Sequence, residues 1–240
     1  MNLLGIETST ENCSAAVSAG GRIYGVAAVA PQRHAELILG MCDQVLRDAG
    51  IGLDSLDGIV FGRGPGSFTG ERIAASAAQG LALGLGLRCA GVCSLEAMAL
   101  QSLEMTPEAE YALSAVDARM GEVYFAVYQR SQDGLASAVM PEPALLRPQV
   151  AAERLNELLS GKAACGGGSG MELLLPAGLD KNILKQAWFP DAQYIVKLGS
   201  TAFKIGTAGD PAAAVPLYVR NEVAWKKISG QHPSLPRKQQ

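Results

Sequence analysis

Residues 56–86 place a short apolar run, a glycine-rich loop and an alanine-rich segment in immediate succession. The apolar run, IVF, predicts a buried strand. Four glycines and a proline follow within residues 62–70 and exclude regular structure there. Ser67 and Thr69 are candidate N-caps for a helix over residues 71–85, with an acidic residue in its first turn. The stretch therefore predicts a strand, a loop and a helix in that order.

The glycine loop lies where free N–H groups at a helix start could hold an anion. A P-loop would need a lysine after G-x-x-x-x-G, and a dinucleotide-binding loop would need G-x-G-x-x-G. The glycine spacing here fits neither pattern. The loop is therefore weak evidence for a nucleotide.

The predicted helix is apolar or small on every side, and such a helix is normally buried on more than one side. One side can lie on its own sheet. The other side then needs a second helix, from this chain or from a partner. Phe68, at the tip of the loop, is either an exposed interface anchor or a plug folded over the helix start.

The chain has 240 residues, 48% of them hydrophobic, which suits one large domain or two small ones. No apolar stretch reaches the roughly 18 uninterrupted residues of a membrane helix, and the start lacks the basic region of a signal peptide. The five cysteines are scattered and form no C-x-x-C pair, which favours reduced thiols. We therefore expect a cytoplasmic protein without a membrane segment.

Charge and histidine content argue against two further classes, proteins that bind nucleic acid alone and proteins with a histidine-rich metal site. Residues 1–110 carry six arginines and twelve acidic residues, whereas residues 111–240 carry fourteen basic and eleven acidic residues. Neither half is basic enough to bind nucleic acid alone. With only His34 and His232 available, a histidine-rich metal site is not expected. His34, at a helix start, is expected to contact a neighbouring chain or to cap the helix.

The first half of the chain predicts a mixed sheet with helices on its faces. Three strands come first, and Gly20-Gly21 forms a hairpin turn between the second and the third. An amphipathic helix at residues 34–49, the strand–loop–helix unit, a strand near residues 88–92 and a helix from Ser94 follow.

The second half is a looser echo of the first, which predicts two related subdomains. Strands are expected at residues 111–116, 122–128 and 162–165, and helices near residues 149–159 and 199–207.

Two enzyme classes stay open. An ATPase could use Glu7 and Ser9 after the first strand, with Asp117 and Gly167 from the second half. We favour a simpler interpretation, in which these are inherited loops without a tight nucleotide site and Asp117 with Arg119 is an ion pair or turn cap. A serine peptidase would need a triad built on one of two histidines, and the sequence contains no G-x-S-x-G.

Four segments carry a closer resemblance. They are LLGIETST, GRGPGSFTGERIAASAAQGLA, DARMGEVYFAVY and VPLYVRNEVAW, and the similarity runs from Asn2 to about Trp225. These segments resemble the TsaB (YeaZ) family of bacterial tRNA threonylcarbamoyladenosine biosynthesis proteins. The GPGSFTG run is the most specific of them. Glu71 departs from the family, which more often has an apolar residue there, and it would put a charge at the rim of an interface.

The resemblance implies an α/β, actin-like (RNase H-type) duplicated fold, with two subdomains that each hold a mixed sheet flanked by helices. The boundaries are residues 1–105 and 106–220, with a basic, flexible tail at residues 221–240. It also implies a cytoplasmic accessory subunit without catalysis, cofactor or metal of its own.

In this family the subunit supports formation of N6-threonylcarbamoyladenosine at position 37 of tRNAs that read codons beginning with A. The implied partners are the catalytic subunit TsaD and the ATPase TsaE, which use ATP and a metal. The subunit forms a homodimer in isolation, and tRNA is reached only through the complex. The implied partner interface consists of His34, Leu37, Ile38, Met41, Phe68, Arg72, Ala75, Ala78 and Gln79.

Overall fold

The computed structural model describes residues 1–187 and 189–220, and the predicted basic tail at residues 221–240 lies outside them. The first sheet has five strands in the order β3-β2-β1-β4-β5. Strands β1 to β3 run antiparallel, whereas β4 is parallel to β1 and β5 is parallel to β4. The strands are β1 (Leu3–Glu7), β2 (Asn12–Ala19), β3 (Arg22–Val29), β4 (Gly58–Gly62) and β5 (Arg88–Val92).

The second sheet repeats this arrangement. Its main order is β11-β10-β6-β7-β8, and β9 also pairs with β7. Strands β6 and β7 are antiparallel, and β10 and β11 continue parallel to β6. The strands are β6 (Tyr111–Arg119), β7 (Glu122–Arg130), β8 (Ala136–Ala138), β9 (Ala144–Leu146), β10 (Ala164–Gly167) and β11 (Leu184–Ala187). Equal order and direction in both sheets confirm the predicted duplicated, actin-like fold.

Six helices of the described residues cover the sheets. They are α1 (His34–Ala49), α2 (Phe68–Leu85), α3 (Ser94–Met105), α4 (Pro148–Leu159), α5 (Met171–Leu174) and α6 (Ala192–Lys204), with short 3₁₀ turns at Leu53–Ser55 and Pro211–Ala213. Helices α1 and α2 share one core with one face of the first sheet. Helices α4 and α5 cover the outer face of the second sheet.

Helices α3 and α6 form a third core between the two sheets. Helix α3 packs on the second sheet, and α6 packs on all five strands of the first. The predicted boundary between residues 105 and 106 separates the sheets but not the helices. Each half of the chain therefore completes the other's core.

Several element predictions are confirmed, including α1, β3 and β5 with their bounds and the hairpin turn at Gly20-Gly21, where both residues have positive φ. The prediction for the last helix is wrong. It begins at Ala192, because the Asp191 carboxylate accepts a hydrogen bond of 2.8 Å from the Gln193 N–H. Gly199 lies inside this helix, where a Cβ would stand 2.1 Å from Val60 Cγ1. This glycine permits close packing and does not start the helix.

Candidate partner-binding surface and the buried glycine loop

Helix α2 begins three residues earlier than predicted, at Phe68. Ser67 is its N-cap, and the Ser67 hydroxyl accepts a hydrogen bond from the Gly70 N–H at 3.4 Å. The helix ends at Leu85, and its C-cap residue Gly86 has a left-handed backbone conformation and donates its N–H to carbonyls of the last turn. Strand β4 and the Ser67 N-cap determine where the helix starts and which of its faces lies on the sheet.

The inner face of α2 is an alanine face that lies on the first sheet beside α1. Ala74, Ala75, Ala78 and Ala82 are all buried there. The second helix that the apolar pattern requires is therefore α1, from this chain.

This packing corrects part of the predicted interface. His34, Ile38, Met41, Ala75 and Ala78 are buried in the chain's own fold. His34 also does not cap its helix, because Arg33 is the N-cap residue and no side-chain cap bond forms. These five side chains therefore offer little exposed area to a partner, because α1 and α2 pack together on one face of the first sheet.

The other four predicted interface residues lie nearer the surface. Leu37 is half-buried against the same core. Gln79 is half-buried, and its Nε2 donates a hydrogen bond of 2.9 Å to the Ala214 carbonyl. Phe68 is 62% exposed, so it is not a plug over the helix start. Arg72 is half-buried beside it.

The outer face of α2 carries an uncharged stripe that was not singled out from the sequence. Ser76, Gly80, Leu83 and Gly84 are exposed along it, and Leu83 is 61% exposed. No charged residue occurs from residue 73 to residue 87. On α1, Leu39 is 56% exposed and Gly40 follows it. The charge-free run in the sequence was the signal that could have located this stripe.

The glycines on these outer faces have no packing requirement within the described part of the chain. A Cβ built at Gly40, Gly80 or Gly84 meets no atom within 4 Å. A glycine inside a helix costs about 0.5–1 kcal/mol relative to alanine. The fold bears this cost three times without an internal packing reason.

A cluster of three side chains marks the start of α2. The Arg72 guanidinium lies 3.3 Å from the centroid of the Phe68 ring and 5.2 Å from that of Tyr218. Its Nη1 donates to the Phe68 carbonyl at 2.9 Å, and its Nη2 donates to the Tyr218 hydroxyl at 3.0 Å. Tyr218 belongs to the VPLYVRNEVAW segment, to which sequence reasoning gave no role. Only residues 215–220 of that segment are described.

Glu7, the candidate phosphate-facing acid, is fully buried beneath the glycine loop. Its Oε1 accepts from the Ser9 N–H and its Oε2 from the Ser94 hydroxyl, both at 2.6 Å. A Cβ at Gly62 would lie 1.8 Å from Oε2, so only glycine fits there. Burial raises the pKa of Glu7 above its usual range. Both oxygens of this carboxyl are committed to the chain itself.

Several N–H groups of the loop also donate hydrogen bonds within the chain. The Gly64 N–H donates to the Ser94 hydroxyl at 3.2 Å, and the Ser67 N–H donates to the Ser9 carbonyl at 2.6 Å. The Gly66 N–H donates to the Glu71 carboxyl. Glu71 is only 5% exposed, which corrects the expectation of a charge at an interface rim. Burial raises the pKa of Glu71 to about 7.

The candidate loop of the second half is closed in a similar way. The Gly170 N–H donates to the Ala115 carbonyl at 3.0 Å, and the Asp117 N–H donates to the Ser169 hydroxyl at 3.1 Å. The Asp117 carboxylate accepts from the Arg119 N–H and pairs with the Arg119 guanidinium, which confirms the predicted turn cap and ion pair.

Gly167 is buried in β10. The Glu7 carboxyl and several N–H groups of both loops are therefore already bonded within the chain.

Other site classes find little support in residues 1–187 and 189–220. Within these ranges no group of three histidine, cysteine or acidic residues could hold a metal ion. All five cysteines are buried and free. In the same ranges, no helix has the length and apolar character to cross a membrane.

Comparison with known proteins finds relatives that share one description. The chain is 37% identical over 234 residues to the Escherichia coli (strain K12) tRNA threonylcarbamoyladenosine biosynthesis protein TsaB, covering 96% of this chain and 100% of that protein. It is 33% identical to the Haemophilus influenzae protein of the same description, with 96% and 98% covered.

A family model and solved structures agree with these relatives. Residues 22–155 match the model of the family described as TsaD: tRNA N6-adenosine threonylcarbamoyltransferase. YeaZ from Pseudomonas aeruginosa superposes with a TM-score of 0.81 at 34% identity, over 90% of this chain and 99% of that one. A further Pseudomonas aeruginosa structure, described as similar to peptidase YEAZ, gives a TM-score of 0.84 at 34% identity, over 91% and 99% of the two chains.

Proposed function

Because this chain belongs to the TsaB (YeaZ) family of tRNA threonylcarbamoyladenosine biosynthesis proteins, we propose that it is the accessory subunit of a threonylcarbamoyltransferase complex. In this role it binds the catalytic subunit TsaD through the outer faces of α1 and α2. The complex forms N6-threonylcarbamoyladenosine at position 37 of tRNAs that read codons beginning with A.

The observation that carries this proposal is the set of exposed glycines within α1 and α2. Gly40, Gly80 and Gly84 cost stability and fill no internal need, since a Cβ at each meets open space. Small residues on a helix surface allow a second helix to approach closely. The exposed Leu39 and Leu83 supply apolar area beside them. A helical partner would explain both features.

A homodimer follows from the same surface when the partner is absent. A two-fold dimer hides the same patch on both copies, so the outer faces of α1 and α2 would be covered once in each protomer. The TsaD family model spans residues 22–155, which include both helices. Because the TsaD family and this chain share this part of the fold, TsaD and a second copy of this chain would compete for the same surface.

The subunit is proposed to be non-catalytic, with no nucleotide or metal of its own. The commitment of Glu7 and of the loop amides to internal hydrogen bonds supports this. ATP and its metal then belong to TsaD and TsaE, tRNA is bound through the complex, and the whole acts in the cytoplasm.

Reconstitution tests the role. TsaD, TsaE, tRNA, ATP and threonylcarbamoyl adenylate, the group donor, are incubated with and without this chain, and the modified nucleoside is quantified by mass spectrometry. We expect product only when the chain is present. Equal product in its absence would contradict the accessory role.

The enzyme alternatives have separate tests on the isolated chain. Calorimetry with ATP and magnesium should give no binding at micromolar concentrations, whereas binding that Glu7→Ala abolishes would favour an ATPase. The peptidase reading has one supporting observation, the description of a similar Pseudomonas aeruginosa structure. A fluorophosphonate probe should leave the chain unlabelled, and a serine adduct would favour a peptidase.

A further inference from the structure

The cluster at the start of α2 holds a guanidinium in a fixed position at the protein surface. Phe68 and Tyr218 are 62% and 55% exposed, and Arg72 contacts both rings. Tyr218 is 146 positions away from Arg72 in the chain, so the cluster depends on the tertiary fold. Fixing a long side chain in the free protein lowers the entropy that is lost on binding.

Arg72 still has donors to offer. A guanidinium carries five N–H groups, and those on Nη1 and Nη2 that bind the Phe68 carbonyl and the Tyr218 hydroxyl account for two of them. Within the described residues no carboxylate forms an ion pair with Arg72. Its neighbour Glu71 is instead turned inward to the Gly66 N–H. By contrast, Arg33, the N-cap residue of α1, and Arg47 within α1 each pair with an acidic residue of that helix.

We propose that Arg72, held between Phe68 and Tyr218, is the anchor for a carboxylate side chain of the protein partner. A planar guanidinium binds a carboxylate through two parallel hydrogen bonds, which a lysine cannot reproduce. The two exposed rings border the contact and exclude water from it. This inference rests on the proposed function, because it assigns the partner's charge at one end of the α2 interface.

A protein carboxylate fits the surroundings better than an RNA phosphate. Arg72 lies near the start of the helix that carries the uncharged stripe, so the cluster and the stripe form one continuous surface. Arginine and tyrosine, together with tryptophan, are enriched among the interface residues that carry most of the binding energy. Residues 1–110 have twice as many acidic as basic residues, which disfavours a polyanion.

The test measures the affinity of the full-length chain for TsaD of the same organism, by calorimetry at low and at moderate salt. The variants are Arg72→Gln, Arg72→Lys and Leu83→Arg. Arg33→Gln is the matched control, because Arg33 precedes the other helix of the surface and already pairs with Glu36 at 2.9 Å. Tyr218→Phe removes the hydroxyl that positions Arg72 but keeps the ring.

We expect Arg72→Gln to weaken binding by about tenfold or more, as the loss of a charged interface pair does. Arg72→Lys should recover little of the loss, and Tyr218→Phe should weaken binding less than Arg72→Gln. Arg33→Gln should stay within about twofold of wild type. The affinity of the wild type should fall more steeply with salt than that of Arg72→Gln, because an ion pair is screened.

Three results would overturn the inference while the proposed function stands. The first is wild-type affinity in Arg72→Gln when Leu83→Arg abolishes binding. The second is full recovery in Arg72→Lys, which would mean that a point charge suffices. The third is binding of tRNA to the isolated chain that depends on Arg72 while TsaD affinity does not. If Leu83→Arg also binds TsaD normally, the proposed function fails and this inference fails with it.

Discussion

Helices α2 and α4 cover the outer faces of the two duplicated sheets, and they bury the same kind of inner face. Ala74 and Ala78 of α2 and Ala151 and Leu155 of α4 are all buried against their sheets. Their outer faces differ. Helix α4 exposes Glu153, Arg154 and Glu157, whereas α2 exposes its uncharged stripe. Covering an outer sheet face therefore does not itself require a helix to lack exposed charge, and we attribute the uncharged stripe of α2 to a partner.

The glycine loops of the two halves differ in a second respect. In the first half, two buried carboxyl groups, Glu7 and Glu71, accept hydrogen bonds from the residues around the loop. In the second half, the Ala115 carbonyl and the Ser169 hydroxyl do so. The first loop is therefore held in part by groups whose protonation can change inside the fold. We expect the stability of the first half to depend on pH for this reason.

The largest expected effect separates the two outer faces. We expect Leu83→Arg to weaken binding of TsaD by roughly 100-fold or more, about 3 kcal/mol, because a charge would be buried without a partner in an apolar contact. Val150→Arg is the matched control on α4, where Val150 is 51% exposed. It should change the affinity by less than about threefold. Calorimetry measures the affinity of both variants for TsaD. Equal losses of affinity would remove the distinction between the two helices.

The second effect is a pH dependence that belongs to Glu71. Its folded pKa of about 7 lies above the ordinary 4.5, so the folded state holds the proton more strongly than the unfolded state. The stability from this group is full below pH 4.5 and is lost as the pH rises through about 7.

Glu71→Gln is neutral at every pH and should therefore raise stability at pH 8, by at most about 3 kcal/mol, and change it little at pH 4.5. Thermal unfolding of both proteins at the two pH values measures this. The same difference at both pH values would contradict it.

The third effect compares two buried serines. Ser94→Ala leaves Glu7 Oε2 without its donor and the Gly64 N–H without its acceptor, which should cost about 2 kcal/mol. Ser114 is the control, because its buried hydroxyl has no hydrogen-bond partner in the described structure. Ser114→Ala should be close to neutral in urea unfolding. A Ser94→Ala variant as stable as wild type would mean that the loop is not held through Glu7.

The local pattern predicted most of the first half. The apolar periodicity of residues 34–49 and the glycine after them fixed both ends of α1. The second half was predicted less well, because β8, β9 and α5 have only three or four residues each and leave no periodicity to detect. Helix α6 was misplaced because Gly199 serves a tertiary contact with Val60, which local sequence cannot reveal.

The candidate site was predicted in position but not in detail. The apolar character of α1 and α2 indicated a surface that needs covering, and much of that cover turned out to be internal. Ile38, Met41 and Ala78 therefore lie in the core, while Leu83 and Gly84 lie outside. Which side of an all-apolar helix faces inward depends on where its neighbours lie. The pairing of Arg72 with Tyr218 spans most of the chain and was out of reach for the same reason.

The smallest expected effect is on the stability of the isolated chain. Gly80→Ala and Gly84→Ala should each stabilise it by about 0.5–1 kcal/mol, because alanine favours the helix and a Cβ meets open space at both positions. Gly199→Ala is the contrasting control in α6. It should destabilise, since its Cβ would stand 2.1 Å from Val60 Cγ1. Urea unfolding of the three variants measures both signs, and destabilisation by Gly80→Ala would show an internal role for that glycine.

The affinity of the Gly80→Ala/Gly84→Ala double variant for TsaD tests the central claim most directly. If these glycines exist to let a partner helix approach the outer face of α2, the variant should be more stable than wild type and should bind TsaD at least about tenfold more weakly. A variant that gains stability and binds TsaD as tightly as wild type would contradict the account.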